Sequence, residues 1–117
     1  MNMISEVFLQ DCMEGMKGYP DKYFDLALVD PPYGIRVGID GRVGIDKAAP
    51  CKQYKPVKWD NAIPSEEYFN ELKRVSKNRI IWGANYFDGF GLSGGMIVWD
   101  KDNSGNFSDC ELAYQSF

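Results

Sequence analysis

The sequence predicts an α/β fold carried on a mostly parallel sheet, and three features predict it. The near-continuous apolar run 24–29 (Phe24-Asp25-Leu26-Ala27-Leu28-Val29) reads as a strand of the buried, parallel kind. An amphipathic helix is expected over 65–77, and the apolar stretch 79–82 behind it reads as the next parallel strand. A length of 117 residues leaves room for one small domain with a modest core.

The elements follow in order. Residues 3–9 read as a first strand, and Asp11 and Cys12 open a short helix that runs to about Lys17. The strand 24–29 delivers the chain to Asp30-Pro31-Pro32-Tyr33-Gly34. Pro64 and Ser65 start the long helix, Glu66 and Glu67 lie at its amino end, and Lys73, Arg74 and Lys77 lie at its carboxyl end. Tyr68, Phe69, Leu72 and Val75 form its apolar stripe, which should cover one face of the sheet. Those charges read as a solvated face that obeys the helix dipole, ahead of a phosphate site. Strands at 96–99 and 110–117 complete the set, joined through the polar turn Asp102-Asn103-Ser104-Gly105-Asn106. The chain stops at Phe117 inside an alternating run, which reads as an unfinished strand.

Cysteine and histidine usage excludes several chemistries. Cys12, Cys51 and Cys110 are odd in number, widely spaced and accompanied by no histidine, so neither a disulfide framework nor a zinc site is expected. Free thiols suit a cytoplasmic location. Without histidine, Ser-His and Cys-His catalysis are excluded within this chain, and no metal site is expected. No basic, apolar leader opens the chain and no run approaches membrane-spanning length, so no membrane partner is expected.

Net charge is −4, yet the distribution is uneven. Between residues 34 and 58, Arg36, Arg42, Lys47, Lys52, Lys55 and Lys58 stand against Asp40 and Asp46, a local excess of +4. Glycines 34, 38, 41 and 44 and prolines 50 and 56 break up the same segment, which therefore reads as a long mobile loop. A basic loop on an acidic body can contact phosphates without making the whole protein basic. A solvated linker is the plainer alternative.

The turn after the strand 24–29 carries the chemistry. Asp30 falls at the carboxyl end of a strand, where open α/β sheets place their ligands. Each proline fixes φ and lacks an N–H, so the turn offers the Asp30 carboxylate and the Pro31 carbonyl as acceptors with few competing donors. Tyr33 adds a flat aromatic face. Two acceptors beside an aromatic plate suit the exocyclic amino group of a planar base. Hydrogen bonds accepted from both amino hydrogens push electron density back onto a nitrogen whose lone pair is otherwise delocalised into the ring. Direct attack on a methyl sulfonium then needs mainly positioning and electrostatic help. A base drawn out of a duplex is commonly held by stacking, the role assigned to Tyr33. An ordinary surface turn would also use Pro, Asp and Gly. Aromatic residues make up 15% of the chain, and the rest are expected mostly in the core, including Tyr86, Phe87 and Phe90, which read as packing ahead of base-pocket lining.

The segments Asp11-Cys12-Met13-Glu14-Gly15-Met16, Asp25-Leu26-Ala27-Leu28-Val29-Asp30-Pro31-Pro32-Tyr33-Gly34-Ile35, Ile80-Ile81-Trp82-Gly83-Ala84-Asn85-Tyr86-Phe87, Ile97-Val98-Trp99-Asp100-Lys101 and Phe107-Ser108-Asp109-Cys110-Glu111-Leu112 carry a likeness. Together they resemble the amino-terminal half of the beta-class DNA amino-methyltransferases, phage and restriction-modification types included, which modify adenine N6 or cytosine N4. The resemblance implies a partial Rossmann-like S-adenosylmethionine-dependent methyltransferase fold, with 96–99 and 110–117 as an antiparallel pair. It implies S-adenosylmethionine as cofactor, double-stranded DNA as partner and adenine N6 as target, since cytosine-N4 members often carry Ser where Asp30 stands. Catalytic roles pass to Asp30, Pro31, Pro32 and Tyr33, and cofactor contacts to Asp11, Cys12 and Asp30. Asp11 has an alternative role as a helix N-cap.

One part of that pattern is missing. A Gly-rich strand-to-helix cofactor loop is not found, and the 29 residues before Asp30 contain no Gly-x-Gly. Gly91-Leu92-Ser93-Gly94-Gly95 enters a strand instead of leaving one and reads as a turn. The chain is therefore expected to be the amino-terminal, catalytic-motif half of a methyltransferase domain. A second polypeptide or segment would carry the loop, and open sheet edges would favour self-association. The alternatives are a non-catalytic remnant or DNA-binding fragment, and a cytosine-N4 enzyme. Pro50-Cys51 matches the dipeptide of cytosine-C5 methyltransferases, but Cys51 sits in the basic loop without strand context.

Overall fold

The computed structural model describes residues 3–35, 61–87, 94–102 and 109–117. Within them the chain forms α1 (Cys12–Lys17), β1 (Phe24–Val29), α2 (Glu66–Val75), β2 (Ser76–Trp82), a 3-10 turn (Ala84–Tyr86), β3 (Gly95–Asp100) and β4 (Cys110–Gln115).

The four strands form one mixed sheet in the order β1-β2-β4-β3. β1 and β2 are parallel, with Leu28 opposite Ile80 and Val29 opposite Ile81. β4 runs antiparallel to both of its neighbours, placing Tyr114 opposite Ile81 on one side and opposite Met96 on the other. The expectation of a mostly parallel, Rossmann-like sheet is thus corrected: one strand pair is parallel, two are antiparallel, and the described residues hold only two α-helices.

The reasons are local. Only nine residues separate Asp100 from Cys110, too few for the crossover of about a dozen or more residues that a parallel connection needs, so β3 and β4 pair as neighbours running in opposite directions. That antiparallel pairing agrees with the sequence reading. Residues 3–9, expected as a first strand, lie outside any strand with Val7 and Leu9 fully solvent-facing, so among the described residues no second parallel partner flanks β1. β1 is then not buried on both faces. Ala27 and Val29 pack against the core, while the alternating Leu26 and Leu28 are exposed, Leu28 by 63%. α1 has only six residues and α2 packs on a single face, so the two-sided helical cover of a doubly wound sheet is absent among the described residues.

The core sits beneath α2. Tyr68, Phe69, Leu72 and Val75 are buried as the apolar stripe requires, and the first three cluster with Ile81, Phe87 and Tyr114. Ser65 caps the helix, its hydroxyl accepting from the Tyr68 amide. The helix stops at Val75, two residues before the expected end, because Ser76 is already extended and pairs with Phe24 in the parallel ladder. The buried Ser76 hydroxyl donates to the Leu72 carbonyl at 2.6 Å, and Lys22 Nζ donates to the Lys73 carbonyl at 2.6 Å. Carbonyls orphaned at the helix end thereby keep partners. Arg74 ties α2 to the α1–β1 connection: it donates to the Tyr19 and Met16 carbonyls and pairs with Asp21 and Glu71.

Among the described residues no helix is long and apolar enough to cross a membrane.

Candidate functional site

β1 ends at Val29, so the parallel ladder delivers Asp30 to the carboxyl edge of the sheet. Pro31 turns inward and is buried, Pro32 and Tyr33 are half-buried, and Asp30 stays exposed. The Tyr33 hydroxyl reaches back over the two prolines and donates a short hydrogen bond to Asp30 Oδ1. Its ring lies nearly parallel to Tyr86, with centroids 4.8 Å apart and planes 11° off, and Phe87 approaches it at 6.1 Å. Burial pushes the Tyr33 hydroxyl well above the ordinary phenol range, and the hydrogen bond to Asp30, the Asp30 charge and the Glu111 charge push the same way. Tyr33 is therefore a donor at any physiological pH.

Gly83 makes this placement of Tyr33 possible. It directly follows β2, with φ of 76° in the left-handed region, and its amide donates to the Leu112 carbonyl at 2.8 Å. A Cβ here would lie 2.1 Å from Tyr33 Cε1, inside the ring's own volume. Only glycine combines that backbone conformation with so close an approach.

Two cavities flank the turn. The larger, about 490 Å³, opens between the carboxyl end of β1 and the starts of both helices, lined by Cys12, Val29, Asp30, Pro31, Ser65 and Tyr68 among others. Burial raises the Tyr68 hydroxyl to about 12. The smaller, about 200 Å³, lies between the turn, the 3-10 segment and β4, and is lined by Tyr33, Gly83, Asn85, Tyr86, Glu111 and Leu112 among others. The first volume falls within the range of small-molecule and cofactor pockets, about 300–1,000 Å³, and the second falls below it. Asp30 lines the larger cavity and Tyr33 the smaller, and their mutual hydrogen bond links a residue of each.

Of the residues expected at a cofactor, Cys12 and Asp30 come together in the larger cleft. Asp11 caps α1, its carboxylate accepting from the Met13 amide at 2.9 Å and the Glu14 amide at 3.3 Å, a role compatible with a cofactor contact. Asp30, Pro31, Pro32 and Tyr33 are joined as one turn. Tyr86, read from sequence as ordinary packing, lines the smaller cavity as well as stacking on Tyr33, whereas Phe87 is a core residue. Arg36, Arg42, Lys47, Lys52, Lys55, Lys58, Cys51 and Phe90 lie outside the described residues.

Sequence reading passed over Gly83, Asn85 and Glu111. A glycine at the end of an apolar strand marks close backbone approach, a signal that would have found Gly83. Glu111 interrupts an otherwise mostly apolar strand. It is held by Lys101, whose Nζ lies 2.6 Å from Glu111 Oε1 and 5.6 Å from the centre of the Trp99 ring. Among the described residues no group of three or more His, Cys, Asp or Glu side chains forms a metal site. No protein-family model matches the chain, and no curated protein matches it.

Proposed function

We propose that this chain serves methyl transfer from S-adenosylmethionine to the exocyclic amino group of adenine (N6) in DNA, as the catalytic-motif part of a site-specific DNA methyltransferase. The supporting observation is that one turn contributes to two cavities, Asp30, Pro31 and Pro32 to one of cofactor size and Tyr33 to a smaller one. In this reading Cys12, Asp30 and Ser65 hold the cofactor in the larger cleft, against the apolar surface of Val29, Pro31 and Tyr68. S-adenosylmethionine, when bound, supplies an electrophilic methyl group on a positively charged sulfur. Asp30 and the Pro31 carbonyl accept hydrogen bonds from the amino group and raise electron density on its nitrogen, and the Asp30 carboxylate is the group placed to take the proton released. Pro32 holds the turn, and Tyr33 offers its ring to the base once Tyr86 gives way.

Double-stranded DNA is the proposed partner, reached through Arg36, Arg42, Lys47, Lys52, Lys55 and Lys58. The Arg-Val-Gly-Ile-Asp stretch at 36–40 recurs at 42–46, which repeats the arginine six residues on. The Gly-rich cofactor loop missing from this sequence is assigned to a second polypeptide or further segment. β1 and β3 form the edges of the sheet among the described residues, and self-association through them is proposed as well. The exposed free thiols of Cys12 and Cys110 fit a reducing, cytoplasmic location.

The absence of that loop favours a second reading, a DNA-binding fragment without catalysis. Titration of S-adenosylmethionine into the nitrogen–proton spectrum of the chain separates the two. The first reading expects shifts at Cys12, Asp30 and Ser65, and a tritium-transfer assay on duplex DNA, with the loop-bearing partner supplied, that is abolished by Asp30→Ala while DNA binding persists. A silent titration, or transfer retained in Asp30→Ala, rejects the first reading.

A further inference from the structure

Two unpartnered surfaces of the chain match each other. Residues 3–9 form an arm outside any helix or strand, and its apolar side chains Met3, Ile4, Val7, Phe8 and Leu9 are all exposed, Val7 by 95% and Leu9 completely. β1 pairs with β2 on one side, and among the described residues no strand pairs with the other. Leu26 and Leu28, which stand opposite Asn78 and Ile80 in the ladder, leave an apolar strip along that open edge. The arm does not close onto β1 of its own chain. Asp11 caps α1 and α1 packs on α2, so the point at which the arm leaves the body is held in place.

We propose that residues 3–9 of one copy add as a strand to the open edge of β1 in a second copy, reciprocally, to give a two-fold dimer. The proposal draws on none of the methyl-transfer chemistry, and it names the segment and the edge for the self-association proposed above. Along an extended arm Val7 and Leu9 point to one side and Phe8 to the other, so Val7 and Leu9 can lie beside Leu26 and Leu28 while Phe8 lies beside Ala27, on the side where α1 and α2 pack. Direction decides between one chain and two. The connection through α1 is of the crossover kind and brings the arm to its own β1 in parallel. Val7 beside Leu26 then sets Glu6 beside Asp25, a like-charge pair that weakens a ladder. Two copies can meet antiparallel. Val7 then lies beside Leu28 and Leu9 beside Leu26, Glu6 moves to Val29, and Gln10, a donor, reaches Asp25. At roughly 1.45 Å² per dalton of extended chain, seven residues of about 0.8 kDa expose about 1,200 Å². Covering half of each arm with an equal area of each edge removes about 2,400 Å² in all, above the roughly 1,200–2,000 Å² of a stable interface. Because the same chain carries both arm and edge, the exchange closes and leaves neither unpaired.

Light scattering of the full chain reads its mass as concentration rises, in reductant because Cys12 and Cys110 are exposed thiols. The expected result is a rise from 13.3 kDa to twice that value. Val7→Asp and Leu28→Lys each alter a side chain that faces solvent in the single copy, so neither threatens the fold. Each should raise the dissociation constant of the dimer at least tenfold. Mixing the two variants should restore dimers, because one arm then meets an unaltered edge and the other sets the introduced acid beside the introduced base. A chain of 13.3 kDa at every concentration overturns the proposal and leaves the β1 edge to the loop-bearing segment. A dimer that Val7→Asp leaves intact overturns it too, and moves association to β3. A mixture no tighter than either variant alone rejects the reciprocal exchange. Loss of cofactor binding or of methyl transfer bears only on the enzyme reading, since neither the arm nor the leucine strip has a part in that site.

Discussion

Replacing Gly83 by alanine tests the site at its tightest point. The new Cβ would stand 2.1 Å from Tyr33 Cε1, about 1.3 Å short of the 3.4 Å at which ordinary contact begins. Two costs follow. A left-handed backbone costs an L-residue roughly 1–2 kcal/mol, whatever the surrounding space. The ring must also move. It cannot do so without weakening its stack on Tyr86, worth about 0.5–1.5 kcal/mol, and its hydrogen bond to Asp30, worth at most about 1 kcal/mol at so exposed a carboxylate. The total is about 2–4 kcal/mol. Urea unfolding of Gly83→Ala against the parent measures it.

The same change in a Tyr33→Ala background isolates the contact. With the ring gone, only the backbone cost should remain, so Gly83→Ala should destabilise by about 1–2 kcal/mol there. The difference between the two backgrounds is the energy of the Gly83–Tyr33 approach. A cost within about 0.5 kcal/mol of zero in the parent, the range of ordinary surface changes, would refute the close packing of Tyr33 on the end of β2. An equal cost in both backgrounds would refute the part assigned to the ring.

The core and the ion pairs yield further expectations. Phe69 is 1% exposed and touches both Tyr68 and Phe87, so Phe69→Ala should cost about 3–5 kcal/mol in urea unfolding, the range of buried aromatic truncations. The hydrogen bond and charge of Arg74 hold the Glu71 carboxyl below its ordinary value, and Lys77 does the same for Asp25. Groups depressed in this way contribute stability that is present above their unfolded values and lost as pH falls through the folded ones. The urea midpoint should therefore start to drop as pH falls below about 5 and keep dropping through the lowered folded-state values, and Glu71→Gln should make that drop shallower.

What was legible in the sequence is what local physics decides. Ser65 at the cap, acids and bases at the two ends and apolar residues at 68, 69, 72 and 75 identify α2 without knowledge of its surroundings. β1 was legible as a strand, and its carboxyl end as the place of Asp30. Its depth in the sheet was not. Leu26 and Leu28 carry the same apolar signal whether a second layer covers them or not, so the run 24–29 looks like a central parallel strand while forming an edge among the described strands. Residues 3–9 failed for a related reason. Val7, Phe8 and Leu9 have strand propensity, but a strand is stabilised by its ladder and its burial, and neither is found here. The site divides along the same line. The turn announces itself through two prolines and an aspartate in sequence, whereas Asn85 and Glu111 reach it from segments about fifty and eighty residues away, through the β1–β2 and β2–β4 pairings.

The hydrogen bond between Tyr33 and Asp30 bears on how such a site would work. A phenol kept protonated by burial is a fixed donor, so in this state one oxygen of the proposed catalytic carboxylate is already engaged. An incoming amino group, also a donor, competes for the same carboxylate, and a planar ring competes with Tyr86 for the face of Tyr33. Both competitions are settled at one side chain. An occupant that brings a ring but no amino group gains the stacking face without replacing the hydrogen bond. One that brings an amino group without a ring leaves Tyr86 in place. An amino-bearing ring exchanges both contacts for equivalents of its own, and that is the class of molecule that the turn is proposed to modify.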